Sequence, residues 1–137
     1  MVCTSTKLRV RYQETDRMGI VYHSNYFIWF EIGRTELFKK MGISYHDLEK
    51  NGYFLVVTEV NCKYRAPATY DDEVEILTRL TELKNSALTF DYEVRKKEVL
   101  ITNGSTRHVF VDANGKITKV PITLFEALKI PRPSGSG

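Results

Sequence analysis

The segment from Tyr12 to Tyr26 joins a carboxylate to the predicted start of a helix. It reads YQETDRMGIVYHSNY, and Asp16 lies between a strand-like stretch and a strongly apolar helical stretch. A helix N-terminus presents unpaired N–H groups and the positive end of the helix dipole, which attract negative charge. A carboxylate facing such an oxyanion site can attack an acyl carbonyl or activate a water against it. Acyl transfer is therefore the chemistry that these residues could perform.

A purely structural role for Asp16 is the alternative. Aspartate in a loop before a helix is common as a turn or capping residue, because its side chain bonds nearby backbone groups. Spacing alone leaves both interpretations open.

Histidine is the other residue type here that could act in catalysis. His23 lies close to Asp16 and could be a general base through its ring, which titrates near neutral pH, or could contribute its backbone alone. His46 and His108 have no neighbouring cluster of carboxylates or cysteines, so we expect no metal site. The two cysteines, Cys3 and Cys62, suggest neither a disulfide framework nor a zinc site.

The stretch before Asp16 predicts a strand. From Lys7 to Tyr12 the residues alternate, which places Leu8, Val10 and Tyr12 on one face. A period of two indicates a half-buried strand.

The stretch after Asp16 predicts a long helix from about Ser24. Apolar residues recur at spacings of four, three, four and four: Tyr26, Phe30, Gly33, Leu37 and Met41. Residues 27–29 are apolar too, which is typical of a helix buried on most sides. Ser24 or Asn25 can cap its start, and Gly42 is placed to end it. Gly33 weakens the helix, so we expect something to pack closely there.

The rest of the chain is mostly strand. A short helix is predicted at 44–50 and a terminal one at Pro121–Leu128; the four strands between them are 54–64, 73–83, 87–96 and 99–111. Short turns join antiparallel neighbours. The pattern predicts an α+β fold with a curved antiparallel five-stranded sheet wrapped around one long helix. Open sheet edges predict edge-to-edge pairing into a two-fold dimer.

Length and composition narrow the possible functions. The chain has 137 residues and a net charge of +3, which predicts one domain over 1–132 and excludes a strongly basic nucleic-acid binder. Residues 133–137 read as a flexible tail or a remnant of cloning. No apolar run is long enough for a membrane span or a signal peptide, so we expect a cytoplasmic protein.

The motif around Asp16 resembles that of a known family. The run T-D-x-x-G-x-V-Y-H-x-N-Y, residues 15–26, is similar to the signature of hotdog-fold acyl-CoA thioesterases of the 4-hydroxybenzoyl-CoA thioesterase and YbgC-like type. The stretch from Val60 to Val74 looks like that family's strand and following loop. The similarity extends roughly from Leu8 to Leu128.

This resemblance implies roles for individual residues. Asp16 corresponds to the catalytic aspartate, as nucleophile or general base, and the backbone N–H of His23 to the oxyanion donor. Gly19 would let the loop approach the thioester, while Tyr22 and Asn25 would shape the pocket. The resemblance also implies an acyl-CoA substrate, no metal or redox cofactor, an active site at a dimer interface, and a homotetramer built from two dimers.

Several points stay open from the sequence. The cations that could bind the phosphates of coenzyme A are Lys63, Arg65, Arg95, Lys96, Lys97, Arg107 and Arg132. Glu31 on the long helix could be catalytic, as in a related thioesterase type, but is better read as a polar surface residue. A non-catalytic acyl-CoA or acyl-carrier binding module and an acyl-carrier-protein thioesterase are the alternative functions.

Overall fold

The alternating stretches form one antiparallel sheet, and the long apolar stretch forms a helix packed against it. The computed structural model describes residues 2–134. The strands are β1 (Cys3–Arg9), β2 (Phe54–Tyr64), β3 (Glu73–Leu83), β4 (Leu88–Lys96), β5 (Val99–Val111) and β6 (Ile117–Thr118). The helices are α1 (Asn25–Lys40), α2 (Tyr45–Lys50) and α3 (Ile122–Leu128). The predicted α+β class is confirmed.

The sheet has the strand order β1-β3-β4-β5-β2, with every pair antiparallel. β1 and β2 are therefore the edge strands. The short strand β6, which the sequence pattern did not predict, pairs with the end of β5 beyond the point where β4 stops. A buried core extends from Val10 to Phe125 between the sheet and the helices.

Helix α1 packs on β1, β3 and β4 through the predicted face. Tyr26, Phe30 and Leu37 are buried on this face. A Cβ added at Gly33 would collide with the side chain of Thr78 on β3. The close approach predicted at Gly33 is thus confirmed, since only glycine lets the helix come this near the sheet.

The sequence predicts the C-terminal end of α1 correctly but not the cap at its N-terminal end. Gly42 follows the helix at φ +78°, and its N–H donates to the carbonyl of Lys39, so the predicted stop is confirmed. The predicted cap at the start is wrong. Ser24 has helical dihedral angles and no capping hydrogen bond. The amide of Asn25 instead donates backwards, to the carbonyls of Glu14 and Tyr22.

The first strand was misplaced by the sequence pattern. β1 begins at Cys3 and ends at Arg9, and Tyr12 starts a 3₁₀ turn with its side chain 75% exposed. The strand ends there because its partner β3 begins at Glu73, opposite Arg9. Val10 still bonds to the residues just before β3: its N–H donates to Asp72, and its carbonyl accepts from Asp71. The alternation of Leu8, Val10 and Tyr12 therefore does not continue as one strand face.

One apolar face of α1 is left open within a single chain. Phe27, Ile28 and Ile32 are 37–50% exposed. This face of α1 is not covered by the described chain itself, because α1 packs mainly on β1, β3 and β4 and meets β2 at its start, where the Tyr26 and Tyr64 rings lie 5.5 Å apart.

Part of the predicted tail can be placed. The carbonyl of Pro133 accepts a hydrogen bond from the Asn85 amide at 2.7 Å. Residues 135–137 lie outside the described part of the chain. No helix within residues 2–134 is long and apolar enough to cross a membrane.

Candidate active site

The Asp16 loop is a tight turn closed by its own backbone. Thr15 and Val21 form an antiparallel bridge, and the N–H of Asp16 donates to the carbonyl of Ile20 at 2.8 Å. Gly19 adopts φ +76°, which a side chain would strain, and its N–H donates back to Asp16. The predicted importance of Gly19 therefore has a local cause: this turn requires it.

The two carboxylate oxygens of Asp16 are not equivalent. Oδ1 accepts hydrogen bonds from the N–H groups of Met18 at 2.8 Å and Ile20 at 3.2 Å. Oδ2 has no hydrogen-bond partner within residues 2–134, and the side chain is exposed. One oxygen thus fixes the orientation of the carboxylate, and the other remains available to a ligand.

A second segment supports the loop from behind. Ile20 forms a bridge with Thr69, and the N–H of Val21 donates to the carbonyl of Ala68 at 2.8 Å. These partners lie in the loop that connects β2 to β3, which the sequence analysis had singled out as part of the family-like stretch. The loop after β2 thereby fixes the position of the Asp16 turn relative to the sheet.

The entry to α1 carries unpaired backbone donors. The carbonyl of His23 accepts from the N–H of Tyr26 and from the hydroxyl of Tyr64, both at 3.3 Å. The N–H groups of His23 and Ser24 have no acceptor among the described residues. Unpaired donors at the start of a helix attract negative charge.

Asp16 and His23 line one cleft of about 440 Å³. Its remaining walls are Ile20, Val21, Tyr22, Tyr26, Tyr64, Arg65, Ala66 and Pro67. Rings surround the opening: His23 lies 4.4 Å from the Tyr22 ring and 6.2 Å from the Tyr64 ring, between centroids. Burial raises the pKa of Tyr26 and of Tyr64 to about 12, so both phenols stay protonated at neutral pH.

Three of the predicted site residues do not line this cleft. Gly19 acts in the turn, and Asn25 ties the loop to the helix through its amide. Lys63 lies in another groove, of about 480 Å³, on the opposite face of the sheet. Arg65 lines both the cleft and this groove, and its Nε donates to Asn103 Oδ1 at 3.0 Å.

Most other candidate cations are already engaged. Arg95 pairs with Glu93 at 2.9 Å, Lys96 with Asp72 at 2.8 Å, and Arg107 with Glu82 at 3.3 Å. Arg132 donates to the carbonyl of Val120 at 2.6 Å. Lys97 is exposed in the turn between β4 and β5. Arg65 is the candidate that reaches the cleft.

The remaining histidines and acids lie elsewhere. His46 is exposed on α2, and Glu31 is exposed on α1, as expected for a surface residue. His108 is completely buried, and burial together with the nearby Arg34 charge lowers its pKa to about 3. A ring that stays neutral inside the core takes no part in a surface cleft.

Glu14 is a site residue that the sequence analysis missed. Its side chain is buried, with only 4% of the residue exposed, two positions before Asp16. Oε1 accepts from the N–H of Arg11 at 2.8 Å, and Oε2 from Trp29 Nε1 at 2.8 Å. Burial raises the pKa of Glu14, but the hydrogen bonds from Arg11 and Trp29 outweigh it and hold that pKa below its usual value. The sequence offers no usable signal for this role, because spacing alone does not reveal that Glu14 pairs with the one Trp of the chain.

Comparison with known proteins agrees with this geometry. The family model described as the thioesterase-like superfamily matches residues 10–130. The acyl-CoA thioester hydrolase YbgC of Escherichia coli is 33% identical over 96 residues, which are 70% of this chain and 72% of that protein.

Two crystal structures of related proteins have the same fold. A hypothetical protein from Aquifex aeolicus is 37% identical, with a TM-score of 0.86 over 91% of this chain and 98% of that one. A DHNA-CoA thioesterase from Staphylococcus aureus is 32% identical, with a TM-score of 0.85 over 94% of this chain and 90% of that one. The resemblance drawn from the Asp16 motif is therefore confirmed, and this chain belongs to the thioesterase-like superfamily and has the hotdog fold.

Proposed function

We propose that this protein hydrolyses acyl-CoA thioesters, with Asp16 as the catalytic carboxylate and the entry of α1 as the oxyanion site. The observation that carries the proposal is that one cleft is lined by both Asp16, whose Oδ2 is unpaired among the described residues, and His23, whose N–H has no acceptor among them. The names of relatives above 30% identity, an acyl-CoA thioester hydrolase and a DHNA-CoA thioesterase, support the same substrate class.

The reaction can follow either of two courses. With Asp16 as general base, Oδ2 takes a proton from water, and the water oxygen bonds to the thioester carbonyl carbon. The carbonyl oxygen becomes negative opposite the N–H groups of His23 and Ser24. The C–S bond then breaks, and Asp16 returns its proton to the departing thiolate. With Asp16 as nucleophile, Oδ2 itself bonds to the carbonyl carbon, and the C–S bond breaks to release the thiolate of coenzyme A. Water then hydrolyses the resulting anhydride, which frees the acid and Asp16, and the proton released in this step goes to the thiolate. Neither course requires a cofactor.

Arg65 is our choice for binding the phosphates of coenzyme A, with Lys63 beside it. Arg65 lies where the cleft meets the groove on the outer face of the sheet, and Lys63 lines that groove. A guanidinium binds phosphate oxygens through a planar pair of donors. The thioester would lie near Asp16 while the nucleotide end extends past Arg65.

We also propose that two chains pair through β2. β2 is an edge strand with one side of its backbone open. Val60 and Tyr64 are exposed, and they share the helix side of the sheet with Thr106 and Thr102, their partners on β5. Together with Phe27, Ile28 and Ile32 of α1 they form an apolar surface that a second copy would bury. Association of two such dimers into a tetramer and a cytoplasmic location remain predictions, which solution mass and cell fractionation would test.

Release of free thiol from acetyl-, palmitoyl- and benzoyl-CoA tests the activity, with wild type and Asp16→Asn side by side. Asparagine keeps the shape of the side chain but neither takes a proton nor attacks a carbonyl. We expect kcat to fall by about 100-fold or more, the typical contribution of a catalytic acid or base. Full activity in a folded Asp16→Asn protein would disprove the proposed role. A folded wild type that binds these esters without turnover would instead be a binding module.

A further inference from the structure

Glu14 connects the two halves of the candidate site. Its carboxylate accepts from the Trp29 indole N–H in the second turn of α1. Its backbone carbonyl accepts from the N–H of Tyr22 at 2.8 Å and from the Asn25 amide at 2.9 Å. One residue thus contacts the body of the helix, the end of the Asp16 loop and the helix entry.

The burial of this carboxylate calls for a reason. It is the only carboxylate among the buried polar residues of the described chain. Removing a charged group from water costs several kcal/mol unless hydrogen bonds replace the lost solvation. Here Arg11 and Trp29 supply them. Oε1 accepts from the backbone N–H of Arg11, and Oε2 accepts from Trp29 Nε1 and, at 3.5 Å, from Arg11 Nη2.

We propose that Glu14 is a positioning residue for Asp16, whose buried carboxylate locks the catalytic loop onto α1 through Trp29. The proposal rests on the proposed function, because it concerns the distance between Asp16 and the oxyanion donors at the helix entry. Thr15, the residue after Glu14, forms the bridge that closes the Asp16 turn, so a shift of Glu14 moves Asp16 with it.

The conservative variant Glu14→Gln breaks this lock without removing the side chain. Two N–H donors point at the two oxygens, but a carboxamide offers only one acceptor and presents N–H₂ to the other donor. Trp29→Phe removes the same contact from the opposite side and keeps an aromatic ring. A misplacement of about 1 Å can reduce turnover about 100-fold.

The experiment measures kcat and KM on folded Glu14→Gln, Trp29→Phe and the double variant, using whichever of acetyl-, palmitoyl- and benzoyl-CoA wild type hydrolyses fastest. Trp fluorescence is compared between wild type and Glu14→Gln, which both keep Trp29. We expect kcat to fall about 10- to 100-fold in each single variant, with KM within about threefold because neither side chain lines the cleft. The double variant should lose little more than either single one, since both remove one contact. Trp29 is the only Trp, so its emission should also shift in Glu14→Gln.

One control variant and one measurement of thermal stability distinguish a positioning role from a merely structural one. Glu49→Gln makes the same chemical change on the exposed surface of α2 and should alter neither kcat nor emission. A Glu14→Gln protein that melts earlier but keeps wild-type kcat while folded would show a merely structural role and overturn the proposal. If Asp16→Asn kept wild-type kcat, the proposed function would fail. If only Glu14→Gln kept it, the positioning role alone would fail.

Discussion

At the scale of single residues, the two carboxylate oxygens of Asp16 have different surroundings. Oδ1 is held by two backbone N–H groups of its own turn, whereas Oδ2 has no partner among the described residues, and Asp16 lines the cleft. A carboxylate held through one oxygen keeps its orientation without losing its ability to react. The bonds that make Asp16 a turn residue are therefore also those that aim it, and the structural and catalytic interpretations of this aspartate are compatible.

Arg65 provides a prediction at this scale. Arg65→Gln should raise KM for acyl-CoA about tenfold or more, because charge-assisted hydrogen bonds contribute about 1.5–3 kcal/mol and 1.4 kcal/mol is tenfold. Turnover at saturation should stay near wild type, since the phosphates lie far from the reacting carbonyl.

An N-acetylcysteamine thioester of the same acyl group is the informative comparison for Arg65, because it lacks the phosphates. Its kcat/KM should be unchanged by Arg65→Gln. Arg107→Gln, at a residue already paired with Glu82, is the matched control and should leave KM for acyl-CoA unaltered. An equal loss on both substrates would contradict phosphate binding by Arg65.

At the scale of elements, a chain of buried polar groups joins α1 to the sheet. Arg34 Nη1 donates to the Tyr92 hydroxyl at 3.0 Å, Tyr92 lies 2.6 Å from Thr106 Oγ1, and Thr106 lies 2.7 Å from His108 Nε2. These residues belong to α1, β4 and β5. Such a network is directional, so it favours one position of the helix over the sheet.

His108 makes the stability of this interface depend on pH. The pKa of His108 in the folded protein, about 3, lies below the ordinary 6.5. Between these two values the imidazole is protonated in the unfolded chain but stays neutral in the folded one. The neutral, buried ring of His108 gives its full contribution to stability above the unfolded pKa, and this contribution is lost as the pH falls from the unfolded pKa toward the folded pKa. Lowering the pH from about 7 to about 5 should therefore reduce the free energy of unfolding by about 2 kcal/mol.

Urea unfolding at these two pH values measures the effect of His108. His108→Gln should be less stable at neutral pH but lose about 2 kcal/mol less than wild type on acidification. His46→Gln, on the exposed surface of α2, should keep the wild-type dependence. If His108→Gln lost as much stability as wild type, a neutral buried His108 would be excluded.

At the scale of the whole molecule, the β2 half of the sheet is left exposed in a single chain. α1 covers β1, β3 and β4, while β2 has an open backbone edge and exposed apolar side chains. Tyr64, on this strand, also lines the cleft and donates to His23 at the entry of α1. The proposed dimer surface therefore borders the proposed active site.

Val60→Lys tests the dimer by placing a charge in the middle of this surface. We expect wild type to sediment as a dimer or tetramer and Val60→Lys to shift to monomer, with reduced hydrolysis, because burying an unpaired charge is costly. Val99→Lys, at an exposed valine where β5 begins, is the control and should keep the wild-type mass. A monomeric wild type, or unchanged assembly of Val60→Lys, would refute pairing through β2.

Local patterns in the sequence were enough for much of the fold. Strand-like stretches between turn residues predicted β2 to β5, and the helical spacing of Tyr26, Phe30 and Leu37 predicted α1 and its buried face. Gly33 and Gly42 signalled a close approach and a helix end, since each reports a backbone requirement that few other residues meet. The Asp16 motif was recognisable because all its members lie within one short segment.

Tertiary structure decided what depends on residues far apart in the chain. The end of β1 follows from where its partner β3 begins, since Arg9 pairs with Glu73 and Val10 bonds to Asp71 and Asp72, some sixty residues away. The choice of Arg65 over the other cations depends on which of them the fold brings to the cleft. The role of Glu14 depends on where α1 places Trp29. Sequence spacing carries the local period of the backbone, whereas burial and pairing are set by contacts that exist only once the sheet and α1 have come together.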